Sequence, residues 1–307
     1  MKKRLDRLNL ALREAVSERP AEALLFSGGL DSSLLAAIDP GMTAIFVTLG
    51  ETAPDWPYAK ALADHVGFRL LHCRVTIQEA VAAIPEVIGV LKRFDPAIPN
   101  DLAAWFGLKE AQAMGFETVM TGDGADERFA GYDFMRDIDD LDGYLKAMAR
   151  HMGFSSNRLG AALGLEIVQP FLSEKVGRAA TAFSASEMIC GEGDTLHGKW
   201  PLRKAFEGMM PAALLWQGKR PLEVGSGMTR LRQILSERID PDEMAQQGDG
   251  IAFYSPEHFY YYRLYKAQFG PVAQAGTGER ACPGCGIAIN HHARHCRLCG
   301  WAGAVNG

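Results

Sequence analysis

The chain has 307 residues, 48% of them hydrophobic and 22% charged, with a formal net charge of −5 at pH 7. That length holds one large α/β domain with a small appendage. The negative balance argues against broad sequence-independent nucleic-acid binding, and no apolar run approaches the roughly 20 residues that span a bilayer. The start, Met1-Lys2-Lys3-Arg4-Leu5, is charged and not an apolar signal core, so no membrane and a cytoplasmic location are expected. Residues 1–19 place Leu5, Leu8, Leu12 and Val16 on one helical face.

An apolar strand over 22–26 runs directly into Ser27-Gly28-Gly29-Leu30-Asp31-Ser32-Ser33 and a helix that ends near Asp39-Pro40-Gly41. Glycines in a strand-to-helix turn allow positive φ and close backbone approach, and the helix start presents unpaired N–H groups to an anion. Ser27, Ser32 and Ser33 add hydroxyl donors, and Asp31 sets a carboxylate where a magnesium ion bridges to phosphate oxygens. A Gly-Gly turn with a Ser or Asp cap serves any α/β protein; the whole string in this context points to phosphate binding.

Further strands are expected over 43–49, 69–75 and 117–120, with helices over 57–66, 76–94 and 101–114 between them. Such alternation implies a doubly wound parallel sheet of the α/β class. Asp123, Asp126 and Glu127 then follow the last strand within Thr121-Gly122-Asp123-Gly124-Ala125-Asp126-Glu127. Three crowded carboxylates form either a solvated acidic turn or, beside a phosphate loop, a magnesium site. From Gly131 to about Ser236 the pattern is mostly helical, and Phe269–Gly278 reads as a flexible linker. The aromatic run Phe253-Tyr254 and Phe259 to Tyr265 has the spacing of a packing surface, with nucleic-acid stacking as the alternative.

Four of the six cysteines lie in Cys282-Pro283-Gly284-Cys285-Gly286 and Cys296-Arg297-Leu298-Cys299-Gly300. Four soft thiolates in paired Cys-x-x-Cys-Gly turns suit a structural zinc, which must supply the folding energy of so short a ribbon. Two redox dithiols are the alternative, and His291, His292 and His295 are read as spectators. Arg280, Arg294, Arg297 and Trp301 permit RNA contact; docking on a protein partner or on the chain's own body is the other reading. Cys73 and Cys190 are expected to be buried free thiols.

Ser27–Ser33 has neither Walker nor dinucleotide-fold spacing and resembles the PP-loop of the ATP pyrophosphatase superfamily. Thr121–Tyr132, Gly164–Leu172, Gly198–Arg203 and Pro211–Lys219 follow in an order that resembles the asparagine synthetase family over about residues 20–235. The resemblance implies a PP-loop fold of the adenine nucleotide alpha hydrolase-like kind, with a helical C-terminal part and the zinc ribbon. It implies domains at 1–20 (helix), 21–236 (synthetase-like), 237–278 (helical extension and linker) and 279–307 (ribbon). It further implies ATP and magnesium as cofactors. Asp31 and Asp126 would hold the metal, Ser27, Gly28, Gly29, Asp31 and Ser32 would line the phosphates, and Leu25, Thr48 and Gly122 would border the adenosine. Lys199 and Lys219 would neutralise the leaving pyrophosphate, and Asp123 stands at an acid–base position. Asp123 or Glu166 would take the proton that an attacking amine releases; Glu166, expected on a helix, reads equally as a structural cap.

The implied activity is an ATP-dependent amide ligase joining a small carboxylate to ammonia or an amine through an acyl-adenylate. PP-loop adenylation of a tRNA base is the alternative, and a degenerate nucleotide-binding scaffold a third reading. Two departures bear on this. Lys2 stands where glutamine-dependent members have a catalytic Cys, so free ammonia, a separate glutaminase subunit or another nucleophile is expected. Val168 stands where the family has Arg, which puts aspartate in doubt as the acceptor.

Overall fold

β1 (Ala23–Leu25), β2 (Thr43–Leu49), β3 (Leu70–Val75), β4 (Thr118–Met120) and β5 (Glu166–Val168) form one parallel sheet ordered β3-β2-β1-β4-β5 in the computed structural model. The structure describes residues 1–303 apart from 151, 193, 194, 248 and 292. All seven residues of β2 are buried, as expected of an apolar strand covered on both sides. Leu24 pairs in register with Ala44 on one flank and Met120 on the other.

Alternation along the strands divides two cores. Leu24, Phe26 and Phe46 face α1 (Lys2–Glu18), α2 (Leu30–Ile38) and α3 (Trp56–Val66); Ala23, Ile45 and Val47 face α4 (Ile77–Leu91) and α5 (Ile98–Ala113). Gly67, at φ +88°, ends α3. Thr76 opens α4 with a capping box: its hydroxyl accepts from Glu79 N at 3.2 Å, and the Glu79 carboxylate accepts from Thr76 N at 2.8 Å. At Gly107 of α5 a Cβ would lie 2.6 Å from Leu25 Cδ2, so this helix lies close on the sheet. α5 starts three residues before the expected Asp101, because Pro99 is tolerated in a first turn.

Beyond β4 come α6 (Ala125–Phe129), α7 (Leu141–Ala149) and α8 (Ser155–Ala162). The expectation of a mostly helical stretch needs two corrections. β5 adds a fifth parallel strand, with Ile167 level with Val119, and Cys190–Glu192 pairs antiparallel with Thr195–His197. Glu166 therefore sits on a strand and not on a helix.

Phe259, Tyr261 and Tyr262 of the helix Pro256–Phe269 are buried in the α4–α5 core with Phe253, Tyr260 and Tyr265 partly buried against it, so these members of the aromatic run form a packing surface, while Tyr254 stands exposed. The stretch after it is held down, in contrast to the flexible linker expected. Ala275 N donates to Gly286 O at 2.9 Å, and the Gln274 amide donates to Val272 O at 3.2 Å and Cys285 O at 3.4 Å. Among the described residues no helix is long and apolar enough to cross a membrane.

Candidate functional site

β1 and β4 are neighbours, so the loops leaving their C-terminal ends meet where the strand order reverses. Gly28 takes φ +72°, and a Cβ there would approach Asp55 O to 3.2 Å. Ser27 Oγ accepts from Gly29 N at 3.2 Å, Ser32 Oγ accepts from Ser27 N at 3.1 Å, and the two hydroxyls lie 3.1 Å apart. No side chain caps α2, which leaves the start of that helix open towards an anion. Gly122 brings the second loop against the first: a Cβ there would lie 2.9 Å from Asp31 Cβ.

Four charges meet at this junction. Lys199, 3% exposed and in the left-handed region at φ +58°, is fixed by its backbone N–H donating to Phe129 O at 2.9 Å. Its Nζ lies 2.6 Å from Asp31 Oδ2 and 2.7 Å from Asp126 Oδ1. Lys219 Nζ lies 2.7 Å from Asp126 Oδ2 and 5.5 Å from the Tyr132 ring centre. The room for Lys199 comes from Gly131, where a Cβ would sit 2.0 Å from Asp126 Oδ1 and 2.2 Å from Lys199 Cε. Gln217 ties the Lys219 segment to the first loop by donating to Gly28 O at 2.9 Å.

Burial alone would push the Lys199 ammonium down, but Asp126 and Asp31 together hold it above its usual value. Burial pushes the Asp31 carboxyl up, with Lys199 pulling against it. Desolvation pushes the mostly buried Asp126 carboxyl up as well, yet Lys199 and Lys219 outweigh that and hold it down, at about 2. Asp31 Oδ1 is buried and accepts no hydrogen bond, and Asp126 Oδ1 touches Lys199 without an aligned one. Both carboxylates reach the one Lys199 ammonium, Asp31 through Oδ2 and Asp126 through Oδ1, and two aspartates brought this close offer the hard oxygen donors that magnesium takes.

The remaining predicted residues divide. Asp123 lies two residues before α6, whose first turn carries Asp126, and its Oδ2 accepts from Thr121 Oγ1 at 2.7 Å, Ser156 Oγ at 2.5 Å and Gln169 Nε2 at 3.0 Å. Glu166 does not join it. That side chain is exposed, pairs with Arg19 at the end of α1, and is level with Thr118, at the opposite end of the strands from the loops. Its place as a proton acceptor is thereby corrected. Leu25 packs towards Gly107, and Thr48 is fully buried, its hydroxyl donating to Gly50 O at 2.6 Å and meeting His72 Nε2 at 2.8 Å. Val168 is buried in the sheet beside Met120. Sequence reasoning missed Ser156, Gln169 and Gln217 as neighbours of the site. The two glutamines lie inside motifs already singled out, whereas Ser156 carries no signal of its own.

A second cluster lies in the C-terminal region. The sulfurs of Cys282, Cys285, Cys296 and Cys299 all lie within 4.8 Å of one another, with Cys282–Cys299 at 3.7 Å and Cys285–Cys296 at 3.9 Å. Gly286 at φ +79° and Gly300 at φ +76° close the two knuckles, and Gly284 N donates to Cys282 Sγ at 3.3 Å. This four-sulfur arrangement fits a zinc ribbon. His291 and His295 are exposed and outside the cluster; His292 lies outside the described residues. The ribbon is docked on the body of the chain. Leu298 O accepts from Phe94 N at 2.9 Å, and a Cβ on Gly300 would lie 2.6 Å from Pro96 Cδ. Cys73 and Cys190 are free and only half-buried, less buried than expected.

Fold and site together define a class: a parallel α/β protein in which a glycine–serine loop and an acidic loop close on one another at a sheet switch point. The family model described as asparagine synthase matches residues 5–153 and 144–260, and the chain belongs to that family. A probable asparagine synthetase (glutamine-hydrolyzing) of Dictyostelium discoideum is 27% identical over 300 residues, covering 85% of this chain and 54% of that protein. Asparagine synthetase B (glutamine-hydrolyzing) of Escherichia coli (strain K12) is 26% identical over 282 residues, covering 82% and 50%. The chain thus spans about half the length of these curated relatives. A tRNA thiolase of Methanococcus maripaludis, solved with its iron–sulfur cluster, covers 94% of this chain and 90% of its own at 13% identity and a TM-score of 0.34.

Proposed function

We propose that the chain is the synthetase part of an ATP-dependent amide ligase. A substrate carboxylate oxygen attacks the α-phosphorus, the bond to the bridging oxygen breaks, and pyrophosphate leaves. Ammonia or an amine then attacks the acyl carbon and expels AMP. The observation that carries this reading is the Lys199 ammonium held between Asp31 and Asp126 at the ends of adjacent strands. Displacing pyrophosphate builds negative charge on its oxygens, and preorganised cations stabilise that charge more in the transition state than in the ground state.

In this reading Ser27, Gly28, Gly29 and Ser32 bind the phosphates through hydroxyl and backbone N–H donors, and Leu25, Thr48 and Gly122 border the adenosine. Lys199 and Lys219 take up the charge of the leaving group, and Asp123 receives the proton from the attacking nitrogen. Asp31 and Asp126 would hold magnesium, which supplies further charge neutralisation on the phosphates when bound. Residues 21–236 form the synthetase-like part, preceded by the helix of 1–20 and followed by the extension of 237–278. The four cysteines hold a structural zinc in the ribbon of 279–307. A cytoplasmic protein supplied with free ammonia, or with ammonia from a separate glutaminase subunit, completes the proposal. RNA contact through the ribbon belongs to the alternative reading.

The test is pyrophosphate release by the whole chain with ATP, magnesium and ammonia, against a panel of amino-acid carboxylates and against bulk tRNA. Release of AMP and pyrophosphate with a carboxylate is the expected result. AMP formed only with tRNA overturns it in favour of base adenylation, and no pyrophosphate with any acceptor reduces the site to a nucleotide-binding scaffold.

A further inference from the structure

Asp123 is held in an uneven way. Three donors from three separate elements meet one of its oxygens, Oδ2: Thr121 just after β4, Ser156 in the first turn of α8, and Gln169 just after β5. The Gln169 amide also reaches Ser156 Oγ at 3.3 Å, so the donors form a connected network. A carboxylate oxygen offers about two lone-pair sites. Three donors therefore use up Oδ2, and Oδ1 is left as the accepting atom. The mount is rigid. Arg158 pins α8 to α4 by donating to Leu91 O at 2.6 Å and Val90 O at 2.7 Å, and Gly160 lets α8 close on Ile167 of β5, where a Cβ would lie 2.6 Å from its side chain.

We propose that Ser156 and Gln169 are positioning residues for the amide-forming half of the reaction, a role that rests on the ligase reading above. By holding Oδ2 they present Oδ1 to the nitrogen nucleophile. As the nitrogen lone pair forms the N–C bond, the acyl C–O bond breaks and AMP keeps its electron pair. The proton released from nitrogen goes to Asp123 Oδ1. Asp123 then serves the second half-reaction, while Asp31 and Asp126 serve the first.

The experiment is steady-state kinetics of the whole chain with ATP, magnesium, ammonia and whichever carboxylate supports pyrophosphate release. Losing a hydrogen bond to a charged group predicts that Ser156→Ala and Gln169→Leu each lower kcat about ten- to a hundredfold. The KM for ATP stays within about twofold, and Ser156→Thr recovers most of kcat because it keeps the hydroxyl. Wild-type kcat in both variants overturns the proposal, as does a loss that lies in the KM for ATP. Absence of turnover in the wild-type chain instead sinks the ligase reading, and crystal structures of the wild type and Ser156→Ala then decide the positioning role. A carboxylate that swings away in the variant supports it, and one that keeps its rotamer overturns it.

Discussion

Lys199 is the residue on which most of the junction depends. It is the cation between two mostly buried carboxylates, so removing it leaves Asp31 and Asp126 facing each other without the ammonium that both of them touch. Breaking a buried pair in this way costs about 3–5 kcal/mol, and losing a preorganised charge partner costs about 10²–10³ in rate. Lys199→Ala is therefore expected to lower Tm at neutral pH and to reduce pyrophosphate release by that factor, measured by melting curves and a coupled assay. His258 makes a separate prediction. Burial pushes its imidazole down to about 4, whereas the unfolded value is near 6.5. The fold accepts the neutral ring, so this contribution is complete above pH 6.5 and is lost as pH falls towards 4. At pH 5 it removes about 2 kcal/mol of stability. His258→Phe is expected to lose less Tm than the wild type between pH 7.5 and pH 5; an equal loss in both would refute the assignment.

At the level of elements, legibility followed length and locality. β2 was expected over 43–49 and is found at Thr43–Leu49, because seven buried residues in a row leave a clear apolar signature. β5 was missed, since Glu166-Ile167-Val168 is too short to establish a period, and Glu166 was misplaced with it. The phosphate-loop pattern and the cysteine pairs were readable because their residues are neighbours in sequence. Ser156 was not, because its partner Asp123 lies in another element and only the packing of α8 on β5 brings them together. The knuckles themselves are testable as elements. Metal analysis is expected to find one zinc per chain, with Cys299→Ser or a strong chelator removing it and lowering Tm. A chain that binds no zinc, or melts unchanged after losing it, would contradict the structural role.

For the molecule as a whole, the ribbon is not an isolated bead. Its four cysteines share a core with Phe94, Ile88, Tyr261 and Tyr262. Deleting residues 279–307 is thus expected to destabilise the α4–α5 side and lower Tm of the remaining chain by several degrees, read by calorimetry. An unchanged melting point would mean that the two parts fold independently. The junction itself has a further consequence at this scale. Asp31, Asp126, Lys199 and Lys219 cancel as two negative and two positive groups, so this four-membered cluster is its own counter-ion. It exerts little long-range pull on a polyanion, and nucleotide capture proceeds by swapping internal ion pairs for new ones at contact. Encounter rates with ATP should accordingly change little with ionic strength, unlike those of an enzyme that gathers its substrate through an open electropositive funnel.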